Sequence, residues 1–199
     1  MLSNSRKPAE DIQNLTPMNR IWCFFLAVLI SLPCLHAAEI GRPLEVDTVI
    51  QVPNVTAAQI YAGAKAWIAT AVVDAKSVIQ LDDPTNNHLI GKSNVRLKVN
   101  HMMYSSLTGR VDFVIDIQAR DGRMRVKLYG FDHKADHNPG PYNWDMGPVY
   151  VDGERPDAPK KSYKEMQKRV LPLINETVTK ILDDLRFKAS VSTSEDDNW

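Results

Sequence analysis

Two imidazoles and two carboxylates fall within six positions at Asp132-His133-Lys134-Ala135-Asp136-His137. Imidazole nitrogens and carboxylate oxygens are good ligands for zinc and similar ions. His133 and His137 are therefore candidate metal ligands, and the chemistry they would serve is metal-assisted hydrolysis. Asn138-Pro139-Gly140-Pro141 follows directly, so no sustained helix can put the two His on one face. The plainer reading is a solvated polar loop. Further along, Tyr142, Trp144 and Tyr150 offer aromatic contact surface of the kind enriched at interfaces, or else pin the loop to its own domain. A third set is basic: Lys92, Arg96, Lys98, Arg123, Arg125 and Lys127 alternate with apolar residues, with Glu45, Asp47, Asp112 and Asp116 nearby. Such a face can hold an anionic partner, with Lys92, Arg96 and Arg125 as the binding candidates. It can also be a solvated face whose cross-strand ion pairs are each worth little.

Other chemistries lack their signatures. There is no phosphate-binding glycine loop, no Gly-x-Ser-x-Gly and no His-Glu-x-x-His, so no cofactor and no catalytic set is expected. Lys and Arg number 24, as do Asp and Glu. A nucleic-acid binder would normally carry a basic excess, so no nucleic acid is expected as partner.

The elements that must position these residues can be read from periodicity. Leu44 to Val52 alternates apolar and polar, the mark of a half-buried strand. Thr56-Ala57-Ala58-Gln59 is a capping box. It opens a helix whose Ile60, Ala64, Trp67, Ile68, Ala71 and Val72 share a face bordered by Tyr61. Ser77–Leu81 and His88–Val99 read as strands across the turn-rich Asp82–Asn87. Residues 110–130 alternate on both sides of Asp121-Gly122, which predicts a hairpin with a type I′ turn. A two-residue loop sets Asp116 opposite Lys127, Ile117 opposite Val126 and Phe113 opposite Gly130. Residues 131–161 contain five prolines and read as a long loop with a short edge strand at Val149–Val151. Ser162-Tyr163-Lys164-Glu165 caps a second helix that runs to about Arg186. Ala189–Trp199 reads as a disordered acidic tail.

Two amphipathic helices and alternating strands predict an α+β domain. Its two layers are one antiparallel sheet and two helices packed on one face of it.

Upstream of this domain, Ile21–Leu35 (IWCFFLAVLISLPCL) is preceded by Arg20 and followed by Ala37-Ala38. A basic start, a short apolar core and small residues at its end predict a leader and signal peptide over 1–38. Cleavage would place a single domain, residues 39–188, in the periplasm or outside the cell. The other reading keeps residues 21–35 as an inner-membrane anchor, and that segment is then the protein's only membrane contact. Cleavage removes three basic and two acidic residues, leaving 21 and 22 of the original 24 and 24. It also removes Cys23 and Cys34, the only cysteines, and with them any disulfide or thiol chemistry.

The stretches IYAGAKAWIATAVVDAKSVIQLDD, LIGKSNV and VDFVIDIQARDGRMRVKL resemble a bacterial domain-of-unknown-function family with a TATA-box-binding-protein-like (TBP-like) fold. The positions that carry the resemblance are Tyr61, Trp67, Ile90-Gly91-Lys92 and Arg120-Asp121-Gly122-Arg123, within a span of about residues 44–188. The resemblance implies a TBP-like shape and export. It implies no reaction and, shape being distinct from function, no DNA binding. Together these readings lead to an exported, non-enzymatic module for an envelope protein or anionic ligand. The alternative is a metal-assisted hydrolase using His133 and His137.

Overall fold

In a computed structural model of the chain, the described residues are 41–71, 79–137, 144–152 and 160–191. The expected leader and signal segment, residues 1–38, lies outside them, as do Tyr142 and residues 192–199. In chain order the elements are β1 (Val46–Gln51), α1 (Ala57–Ala71), β2 (Ile79–Asp83), β3 (His88–Leu97), a 3-10 turn (Ser105–Leu107), β4 (Gly109–Arg120), β5 (Arg123–Ala135), β6 (Gly147–Pro148) and α2 (Lys160–Val191). The sheet is antiparallel, ordered β1-β5-β4-β3-β2, and β6 adds to β5 beyond β1. Both helices pack on one face, as their single apolar stripes require.

The inner face is the alternating set expected from periodicity. Leu89, Leu97, Val111, Ile115, Ile117, Met124, Val126 and Leu128 are buried there. From the helices, Ile60, Tyr61, Ala64, Trp67 and Ile68 of α1 meet Val170, Ile174, Val178, Ile181 and Leu185 of α2 in the same core. The α1 capping box forms: the Thr56 N–H donates to Gln59 Oε1 at 3.0 Å, and the Gln59 N–H to Thr56 Oγ1 at 3.4 Å. At the β2–β3 turn, Asp83 Oδ1 accepts the Thr85 and Asn86 amides at 3.0 and 3.1 Å. This is the Asx geometry that turn-rich sequences supply.

The hairpin register matches expectation near the turn, with Asp116 opposite Lys127 and Ile117 opposite Val126. Farther out it slips. Val114 faces Tyr129, but Asp112 faces Asp132, so β5 carries one extra residue around Phe113. Gly130 sits there at φ 67°, the left-handed conformation that a glycine bulge uses. The bulge reverses the parity of everything after it. Without it, Asp132 and Lys134 would face the core. With it, Phe131 and His133 do, at 4% and 0% exposure. Phe113 stacks on Phe131 with ring centroids 5.4 Å apart, instead of standing opposite Gly130 alone. The strand thus runs on through Ala135, where periodicity alone reads the start of a loop.

Three further expectations are corrected. The hairpin turn is not type I′, which needs positive φ at both central residues; Gly122 (φ 72°) has it and Asp121 does not. Its polar groups bond instead to the segment entering α1: the Gly122 N–H to Val55 O at 2.8 Å, and Asp121 Oδ1 to the Ala57 N–H at 2.7 Å. Helix α2 begins at Lys160, so Ser162 lies inside it and is not its cap. The helix also continues to Val191, because Ala189 is fully buried one turn beyond Leu185. Among the described residues, no helix is long and apolar enough to cross a membrane.

Candidate functional site

His133 is buried and both of its ring nitrogens are engaged by backbone. Nδ1 accepts the Met146 N–H at 3.2 Å, so Nε2 carries the proton and donates it to Leu107 O at 2.9 Å. Burial pushes this imidazole below its ordinary pKa. A metal would need one of those nitrogens as a lone-pair donor, and neither is free. His137 lies past the end of β5 and is exposed. The structure therefore separates the proposed ligand pair into one core residue and one surface residue. Among the described residues, no group of three or more His, Cys, Asp or Glu could hold a metal ion.

The aromatic candidates are turned toward the protein's own core. Trp144 is half-buried and meets Tyr104 edge-on at 6.4 Å, while the Arg169 guanidinium lies 5.2 Å from the Tyr104 ring centre. Tyr150 meets Tyr163 at 6.4 Å. The buried Tyr163 hydroxyl donates to Pro148 O and accepts the Tyr150 N–H, both at 3.1 Å, and Gln167 Nε2 donates to Tyr150 O at 2.6 Å. Met146 and Val149 are buried between these anchors. Residues 144–150 of the expected long loop are thus pinned to the domain. The sequence offers this pinning as one of two readings but does not name the anchors, Tyr163 and Gln167, which lie on α2 at 13 and 17 positions from Tyr150.

The basic candidates occupy the sheet face away from the helices, as alternation predicts, but they are spread over it. Arg96 pairs with Asp136 at 2.5 Å near one end. Lys92 lines a groove of about 430 Å³ beside the Gly130 bulge, with Arg110, Asp112, Asp132 and Lys134. Arg125 lies near the other end and is gripped bidentately by Asp47 at 2.8 and 2.5 Å. That grip lowers the Asp47 pKa and raises that of Arg125. Lys127 pairs with Glu45 at 2.6 Å, and its pKa is raised by that contact. Asp116 pairs with His88 at 2.9 Å. Much of this face is self-neutralised.

One part is not. At the hairpin end, Arg120, Arg123 and Arg125 surround a depression of about 210 Å³ together with Gln118 and Val49. Val49 is an aliphatic side chain 51% exposed on this face. Arg120 and Arg123 stand directly opposite one another. The hairpin register already sets Arg120 opposite Arg123, but the sequence did not show that Val49 shares their depression, because that depends on β1 pairing β5.

An antiparallel sheet with both helices on one side and an open opposite side defines a two-layer α+β domain of the TBP-like kind. Residues 47–134 match the family model described as domain of unknown function (DUF4468) with TBP-like fold. Among solved structures, a TBP-like protein from Parabacteroides distasonis is 13% identical with a TM-score of 0.54, over 72% of this chain and 93% of that one. A DUF4468 family protein from Bacteroides ovatus is 15% identical with a TM-score of 0.48, over 80% of this chain and 92% of that one. At 13% identity the likeness to the Parabacteroides protein is one of fold. No curated protein matches the chain.

Proposed function

We propose that the protein is an exported, non-enzymatic binding module of the bacterial cell envelope whose open sheet face receives an anionic partner. One observation carries this reading. The helices and the pinned 144–150 segment gather around one side of the sheet, and the other side presents Lys92, Arg120, Arg123 and Arg125 with the exposed aliphatic Val49. A charged surface with a small apolar contact suits recognition, with electrostatics setting partner choice. Export rests on the signal-like segment 21–35, and periplasmic or secreted location follows from it.

The test has two arms. Osmotic-shock fractionation should release the protein shortened by about the length of residues 1–38. A full-length cytoplasmic product would end the export reading. In the second arm, purified lipopolysaccharide and a poly-glutamate peptide are titrated against the parent and a Lys92→Glu/Arg125→Glu variant. Binding of either probe that the variant loses supports the face. Equal binding by both proteins, or none by either, removes it.

A further inference from the structure

Resting on that reading of the open face, we infer that its hairpin end is a binding site for a phosphate monoester group. Arg120 and Arg123 are directly opposed across β4 and β5. Like charges in that position destabilise a sheet. The same sheet contains a second opposed pair, Arg96 and Arg110. There each guanidinium has its own carboxylate: Asp136 at 2.5 Å for Arg96 and Asp112 at 2.8 Å for Arg110. The opposed acids Asp112 and Asp132 are likewise bridged, by Lys134 at 3.3 and 3.9 Å. Among the described residues, Arg120 and Arg123 have no such counter-ion. The fold compensates like-charge opposition elsewhere and leaves it open where the two arginines border a depression.

The chemistry of the missing group follows from the charges. Arg125 is neutralised by Asp47, so two uncompensated positive charges remain, which matches a doubly charged oxyanion. The planar guanidinium fork pairs bidentately with phosphate oxygens. The Gln118 amide adds a neutral donor, and exposed Val49 supplies an apolar wall for the ester carbon. The volume, about 210 Å³, is several times the ~30 Å³ share of one liquid water, enough for the phosphate and its first substituent. Soluble phosphate esters and phosphate-bearing lipid headgroups share this chemistry.

The experiment follows the arginine Nε–Hε resonances by NMR at constant ionic strength, on protein purified after expression of the full chain. The probes are inorganic phosphate, glycerol phosphate and sodium chloride, and sedimentation with phosphatidic-acid vesicles forms a separate arm. Saturable shifts at Arg120 and Arg123 are expected with both phosphates and not with chloride. Glycerol phosphate should bind about tenfold more weakly to Arg120→Gln and Arg123→Gln, each of which loses charge-assisted hydrogen bonds. Binding should be intermediate for Arg123→Lys and unchanged for Lys180→Gln on α2. Both Gln variants should melt no lower than the parent, since each relieves a repulsion. Vesicle binding lost in the same variants assigns a lipid source; glycerol phosphate binding without it assigns a soluble one. Absent saturation, equal shifts with chloride, unweakened Gln variants or a lowered melting point would overturn the site. If it falls while the Lys92→Glu/Arg125→Glu variant still loses an acidic probe, the open-face reading stands; if both fail, both fall.

Discussion

Asp121, in the β4–β5 turn, accepts the backbone N–H of Ala57 at 2.7 Å, so a residue 64 positions downstream caps helix α1 from outside. Two further bonds, Gly122 N–H to Val55 O and Val52 N–H to Gly122 O, both 2.8 Å, seat the turn on the segment entering the helix. This single contact region couples β1, α1 and the central hairpin, and it makes the turn a tertiary element.

Asp121→Ala should therefore destabilise by about 1 kcal/mol, the usual cost of a lost N-terminal cap, and Asp121→Asn by less, because its side-chain carbonyl still accepts. Gly122→Val should cost about 1–2 kcal/mol for placing a branched side chain in the left-handed region. No atom lies within 4 Å of a Cβ built at Gly122, so the cost is purely conformational. Urea unfolding midpoints check both. A Gly122→Val protein as stable as the parent would contradict the positive φ.

His133 should make the fold acid-sensitive. Its folded pKa is lowered by burial, so the unfolded chain takes up the proton first as pH falls below about 6.5. The neutral imidazole's stabilisation is complete above that value and is lost progressively as pH falls toward the folded pKa. Protonating Nδ1 also sets N–H against the Met146 N–H. Stability measured from pH 7.5 to 5 should decline in the parent. The decline should be shallower in His133→Gln, which cannot titrate. His133→Ala should cost about 2–4 kcal/mol, from a cavity and two backbone groups left unpaired.

The segment around Met146 and Val149 should resist hydrogen exchange. The Met146 amide donates to His133, that of Val149 to Phe131 O at 2.9 Å, that of Tyr150 to Tyr163, and that of Val151 to Arg42 O at 2.9 Å. Protection comparable to β5 is expected in the free protein. Rapid exchange across residues 146–151 would show that Tyr163 and Gln167 do not hold the segment, and would return it to the role of a mobile contact loop.

The end of α2 should matter as core. Ala189 is fully buried, so Ala189→Glu should destabilise by about 2 kcal/mol or more through an unpaired buried charge. The same change at exposed Lys188 should be nearly silent. Thermal melts of the two variants would separate a docked helix end from a loose tail.

Periodicity by itself determined the class of this protein. Alternating runs and two apolar helical faces have one economical solution, helices on one side of an antiparallel sheet. The outward parity of Lys92, Arg96 and Arg125 came with it. The register near the turn was equally legible, because a two-residue loop admits one pairing. What the sequence could not show depended on contacts between distant segments. The Gly130 bulge turns His133 from a surface ligand candidate into a core residue; a glycine inside a strand pattern hints at a bulge, but only the pairing of β4 with β5 shows that one residue is inserted and the parity reversed. Tyr163 and Gln167 on α2 pin Tyr150, a contact that residues 144–152 by themselves do not announce. Only the pairing of β1 with β5 brings Val49 beside Arg120, Arg123 and Arg125. Local order is written in residues a few positions apart, whereas burial and site assembly depend on which strands become neighbours.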